Sequence, residues 1–178
     1  MPSDLFTQAL AIEATDPESA LKLYDRLIAE DSEHAAAHIN AGTLHYSARR
    51  LQKAEKHYRR AIAIDPDYAL AHFDLGNVLD ETGKLEEAAE AYQRACKLNP
   101  LHADAHYNLA LVLEKLHEPG RAIQHWKSYL AMDSTSPWSQ HARSRINRAA
   151  VRYGIRVVRS NPSPRRTARR AKLALVSP

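Results

Sequence analysis

Ten histidines and a single cysteine, Cys96, are the side chains of this 178-residue sequence best suited to chemistry. His34 with His38, and His102 with His106, are spaced i,i+4, so on a helix each pair shares a face and has the spacing to chelate a metal ion. Neither pair has an obvious cysteine or carboxylate beside it as a third ligand. His38, His72 and His106 recur at one fixed interval. Neighbouring helices lie about 8–10 Å apart and Zn–N bonds are about 2.0–2.1 Å, so equivalent histidines cannot share one ion. The expectation is therefore no metal, with the histidines packing or capping at helix starts. Cys96 reads as a small residue on a packed helix face, since Lys97 alone is a weak cue for a reactive thiolate. One cysteine cannot form an internal disulfide, and a reducing, cytoplasmic setting is the simplest reading. The sequence has no GxSxG, Walker loop, HExxH or glycine-rich phosphate cradle. Glu86 and Glu87 fall on an expected solvent face rather than across a cleft. No catalytic residue and no cofactor are expected, and the chain does not read as an enzyme.

The elements that position these residues follow from composition and repetition. Apolar residues make up 44% and charged residues 26%, as in ordinary folded domains. Only five glycines in an alanine-rich chain favour helix. The opening MPSDLFTQALAIEAT shows no signal-peptide pattern, and no run nears the roughly 20 apolar residues of a membrane span. Charge is divided unevenly. Residues 1–133 carry a net charge of −7, and residues 134–178 carry +11 with no acid among them.

The phrase AHFDLG at 71–76 recurs as AHINAG at 37–42 and AHYNLA at 105–110, with the same offset each time. In the same register fall Gly42, Gly76 and Ala110, then Ala54, Ala88 and Ala122, then Tyr58, Tyr92 and Trp126. Ala61 and Ala95 follow, a series that Leu130 continues, and Pro66 and Pro100 close two of the units. Run backward, the frame reaches Met1 and places Ala20, Tyr24 and Leu27 in a degenerate first unit. Apolar residues recur at helical spacing on both sides of Thr82-Gly83-Lys84, which predicts a helical hairpin. Gly83 suits a left-handed helix end. Small residues at 76 and 88 let two helices approach, and Tyr92 fills the space between. Asp16-Pro17 and Ser136-Pro137 each read as an N-cap followed by a first-turn proline.

These residues resemble the tetratricopeptide repeat, a unit of about 34 residues folded as two antiparallel helices. The likeness lies in Leu-Gly in the first helix and Ala, aromatic, Ala in the second. The resemblance implies an all-α solenoid of helical hairpins. Its units would be 1–34 (degenerate), 35–68, 69–102 and 103–136, followed by a capping helix at 137–153 and a basic tail at 154–178. It further implies a concave groove lined by the first helices of successive repeats. Carried over by position, the peptide-binding residues would be Ile39, Asn40, Thr43 and Tyr46; Phe73, Asp74, Asn77, Asp80 and Glu81; and Tyr107, Asn108, Leu111 and Glu114. Asp104 and Lys115 fall on the same face, giving five acids against one base. The groove is expected to take a protein or peptide segment of basic and apolar character. Few Lys or Arg stand there, so a clamp for a C-terminal carboxylate is not expected. The run from DPESALKLYDRLIAED to HEPGRAIQHWKSYLAMDSTSPW is also similar to the repeat half of bacterial MerR-type regulators. The helix-turn-helix of those regulators is not found here. This likeness implies a bacterial cytosolic protein with a regulatory role.

RSNPSPRRTARRAKLALVSP, residues 159–178, has the composition of a disordered segment up to about Thr167. Three readings of this tail stay open. It is an inert end; or it is a nucleic-acid or anionic-surface contact through Arg165, Arg166, Arg169, Arg170 and Lys172; or it folds back onto the acidic groove.

Overall fold

The structure, a computed structural model, describes residues 2–155. Regular structure among the described residues is entirely helical: α1 (Pro2–Ile12), α2 (Pro17–Glu30), α3 (Ala35–Ser47), α4 (Leu51–Ile64), α5 (Ala69–Glu81), α6 (Leu85–Leu98), α7 (Ala103–Lys115), α8 (Pro119–Met132) and α9 (Pro137–Tyr153). Short connections make sequence neighbours into spatial neighbours. The chain is thus a solenoid of four hairpins, α1–α2, α3–α4, α5–α6 and α7–α8, with α9 packed on α8. No helix among the described residues is long and apolar enough to cross a membrane.

Side-chain size explains the hairpin. A Cβ added to Gly76 would stand 2.6 Å from the Tyr92 ring, and one added to Gly42 would stand 2.8 Å from Tyr58. The missing side chain makes the seat for the aromatic ring. Tyr24, Tyr58, Tyr92 and Trp126 are all fully buried, as are Ala20, Ala54, Ala88 and Ala122. At strict repeat spacing the third member of the Ala61, Ala95 series is Tyr129, not Leu130. Tyr129 is buried and Leu130 half-buried.

Each hairpin leaves one apolar face that only the next can cover. One continuous core accordingly runs from Ala54 on α4 to Ala142 and Ile146 on α9, and a second joins α1, α2 and α3 through Ala9, Leu27, Ala37 and Ala41. Turns inside the last three hairpins place Arg49, Gly83 and His117 at positive φ. Turns between hairpins use Asp31, Asp65, Asn99 and Asp133. The side-chain oxygen of each accepts from the backbone N–H two residues on, at 3.1–3.2 Å. Pro66 and Pro100 sit just beyond the ends of α4 and α6, where helix cannot continue.

Caps fix where the helices begin. Asp16 accepts from Ser19 N–H at 3.1 Å, and Ser136 Oγ from Ser139 N–H at 3.2 Å. His34 Nδ1 and His102 Nδ1 accept from Ala37 and Ala105 N–H at 3.1 and 3.4 Å, so these two rings act as N-caps. The last helix buries only part of one face. Ala142 and Ile146 are buried and Ala149 is half-buried, but Trp138 is 62% exposed and lies outside the core.

Candidate ligand-binding groove

The first helices of the hairpins, α3, α5 and α7, carry the residues assigned to the groove, and their fates differ. Ile39 is 3% exposed. It packs with Ala61 and Ala71 rather than facing a ligand. Four others are engaged by the core aromatics, whose polar tips must find partners when the rings are buried. Tyr58 OH meets Thr43 Oγ1 at 3.2 Å, Tyr92 OH donates to Asn77 Oδ1 at 2.8 Å, and Trp126 Nε1 donates to Glu114 Oε1 at 2.7 Å. Between the first two hairpins, Asn40 Nδ2 of α3 donates to Tyr24 OH of α2 at 2.9 Å, and that hydroxyl donates to Glu13 at 2.8 Å.

The expected surplus of free acid is reduced to two residues. Glu81 takes hydrogen bonds from Tyr46 and Arg49, Asp80 pairs with Lys115, and Glu114 pairs with Arg145 of α9. Each cation comes from a different hairpin or helix than the acid it meets. Asp74 and Asp104 have no ion pair among the described residues. Asp74 is half-buried beneath the groove, and desolvation raises its pKa from 3.8 to about 6.

A recess of about 450 Å³ remains, lined by Tyr46, Phe73, Asn77, Asp104, Tyr107, Asn108, Tyr129 and Trp138. Six of these eight were placed on the groove face by the repeat register. Tyr129 and Trp138 were not, because they come from α8 and α9. Tyr107 organises one wall. Its ring lies edge-on to Trp126, Tyr129 and Trp138 at 4.9, 5.1 and 5.7 Å, and its hydroxyl meets His141 Nδ1 at 2.6 Å. Phe73 stacks on His102 at 4.5 Å across the hairpin boundary. On the floor, Asn108 Nδ2 donates to Asn77 Oδ1 at 3.1 Å. Asn77 Oδ1 therefore takes two hydrogen bonds, from Tyr92 and Asn108. The Asn77 amide N–H groups and the Asn108 carbonyl oxygen have no partner among the described residues. Leu111 is half-buried and lies by a separate recess with Lys115 and Arg145.

Tetratricopeptide-repeat profiles match residues 10–69 and 46–95, and a further TPR-repeat profile matches 76–116. Together they run without a gap from residue 10 to residue 116, more than half of the sequence. The chain belongs to the tetratricopeptide repeat family. Solved structures agree with that fold. MamA superposes with a TM-score of 0.72 at 23% identity, covering 80% of this chain and 82% of its own. YrrB, described as a TPR protein with an unusual peptide-binding site, gives 0.75 at 20% identity, covering 84% and 76%. PilF of Pseudomonas aeruginosa gives 0.70 at 20%, covering 86% and 69%. At such identities the likeness is one of fold. No curated protein matches the chain in sequence.

Elsewhere the structure corrects one expectation from sequence spacing. His106 does have a cysteine beside it: Cys96 of α6, together with His125 of α8. These three residues stand on separate helices, too far apart along the chain to form a recognised ligand motif, which is why the group was invisible. Arg165, Arg166, Arg169, Arg170 and Lys172 lie outside the described residues, as does the expectation of disorder there.

Proposed function

We propose that this tetratricopeptide-repeat protein is a non-catalytic interaction scaffold that holds an extended peptide segment along its concave face. The observation that carries the reading is the Asn77–Asn108 pair at the floor of an aromatic-walled recess. A peptide backbone offers an N–H and a C=O per residue. The free amide of Asn77 can donate to that C=O, and the free carbonyl of Asn108 can accept from that N–H, both at one place. Tyr46, Phe73, Tyr107 and Trp138 accept an apolar side chain beside it, and Asp74 and Asp104 accept a single cation. Most other acids are already neutralised, so the preferred ligand is apolar with one basic residue rather than polybasic. Tetratricopeptide repeats generally serve as protein-interaction surfaces, and the peptide site named for YrrB supports the same use of this fold. A regulatory use of that contact rests on the likeness to MerR-type regulators alone.

The test is a random peptide display selection on the intact chain, followed by affinity measurements on Trp138→Ala and Asp104→Arg. Both side chains are exposed, so neither change threatens the core. Loss of roughly tenfold or more in affinity for each supports the groove. Selected peptides that bind both variants as well as the parent contradict it.

A further inference from the structure

We propose that Cys96, His106 and His125 form a metal site for one thiophilic divalent ion, Zn²⁺, at the boundary between the α5–α6 and α7–α8 hairpins. The three ligand atoms come from α6, α7 and α8 and all lie within 4.8 Å of one another. The two imidazoles already point the same ring atom at a common place, His106 Nδ1 and His125 Nδ1 being 2.9 Å apart. Tetrahedral Zn²⁺ with Zn–N bonds of about 2.0–2.1 Å would hold two nitrogens about 3.3 Å apart and a thiolate at about 2.3 Å from the ion. The nitrogen pair reaches that geometry by a few tenths of an ångström in the rings, and the Cys96 sulfur, within 4.8 Å of both, has to close to about 3.6 Å. At the repeat-equivalent His72, Nε2 meets the Pro66 carbonyl at 2.9 Å; a partner of that kind on Nε2 of His106 would fix the tautomer that leaves Nδ1 free to ligate.

The donor set selects the ion. One thiolate and two imidazoles suit Zn²⁺ and exclude the hard oxygen-seeking ions Mg²⁺ and Ca²⁺. Three protein ligands leave a fourth position for water, and His125, the one ligand that is only half-buried, marks the way in. A zinc-bound histidine is neutral and a zinc-bound cysteine is a thiolate, whereas a free thiol is mostly protonated at neutral pH. Binding therefore releases one proton, from Cys96 Sγ to solvent, as the Zn–S bond forms. The hydrogen shared between the two Nδ1 atoms moves to the other nitrogen of its own ring, with no net loss. A second histidine set, His38, His45 and His57, provides an internal comparison. His38 Nδ1 and His57 Nδ1 are 3.1 Å apart, but no cysteine stands there and Ile28 occupies the position equivalent to Cys96.

The experiment is titration of the chelator-treated full chain with Co²⁺ and Zn²⁺, beside Cys96→Ser, His125→Gln and His57→Gln. The expected results are one equivalent bound and a thiolate-to-cobalt charge-transfer band that is absent in Cys96→Ser. One proton is released per Zn²⁺, and Zn²⁺ affinity falls roughly tenfold or more in Cys96→Ser and His125→Gln but not in His57→Gln. The absence of that band in the folded parent chain overturns the proposal, whatever the variants do. So does Zn²⁺ binding that survives Cys96→Ser unchanged or that is lost only in His57→Gln.

Discussion

Asp74 states the trade between stability and binding at the scale of one residue. Its carboxylate is desolvated with no cation to offset the burial, and its folded pKa stands near 6 against 3.8 in the unfolded chain. Between those values the folded state binds the proton more tightly, so stability falls as pH rises through the window. The cost is absent below about pH 4 and fully present above about pH 6. Asp74→Asn should therefore raise stability at pH 7 by about 1–2 kcal/mol, the shift being discounted for the part of the group that water still reaches. The gain should vanish below pH 4. Chemical denaturation at the two pH values reads both numbers. If the groove ligand sets a cation against Asp74, the same variant should bind it more weakly. A substitution that stabilises the protein and weakens its ligand would mark Asp74 as kept for binding.

Among the elements, the turns within the hairpins differ in one informative way. Arg49, Gly83 and His117 occupy equivalent places with positive φ, a region that costs an L-residue roughly 1–2 kcal/mol and glycine almost nothing sterically. Arg49 also bonds Glu81, whereas His117 makes only its backbone bond to Glu114 among the described residues. His117→Gly should stabilise the chain by about 0.5–1 kcal/mol after the extra unfolded-state entropy of glycine is set against the relieved strain. Gly83→Ala should destabilise it by a similar amount, and thermal melts of both variants check the signs. These elements were legible in the sequence because hairpin formation depends on local size. Gly76 facing Tyr92, and Gly42 facing Tyr58, announce the close approach at fixed spacing. The recess was mostly legible. Tyr46, Phe73, Asn77, Asp104, Tyr107 and Asn108 follow from the repeat register, but Tyr129 and Trp138 reach it from α8 and α9, outside the first helices to which the groove was assigned. The charge of the groove was misread because Lys115 and Arg145 meet Asp80 and Glu114 only after hairpins stack. Ile39 was misread because the next hairpin covers it.

For the whole molecule, stacking turns local hairpins into one trough, and charge is divided along the sequence. The acidic residues are confined to 1–133, while 156–178 hold seven Lys and Arg. The four arginines of α9 belong to the folded body, and two of them, Arg143 and Arg145, are tied to Ser134 and Glu114. A cut that tests the tail must therefore fall after Ile155, since removing α9 would uncover the main core. Deleting 156–178 should leave melting temperature and peptide affinity unchanged. If the tail contacts nucleic acid, the deletion should flatten the salt dependence of duplex DNA binding, a loss of up to about 0.9 in log–log slope for each phosphate contact removed. Tighter peptide binding after the cut would instead show the tail competing for the groove.

The central claim is that the inner wall of the stack holds the ligand, and backbone and side-chain NMR of the labelled chain with a selected peptide tests it most directly. The account predicts the largest shifts at the Asn77 and Asn108 side-chain amides and the Trp138 indole. Shifts confined to the exposed faces of α4 and α6, around Arg59, Glu87 and Arg94, with those three groups unmoved, would contradict it.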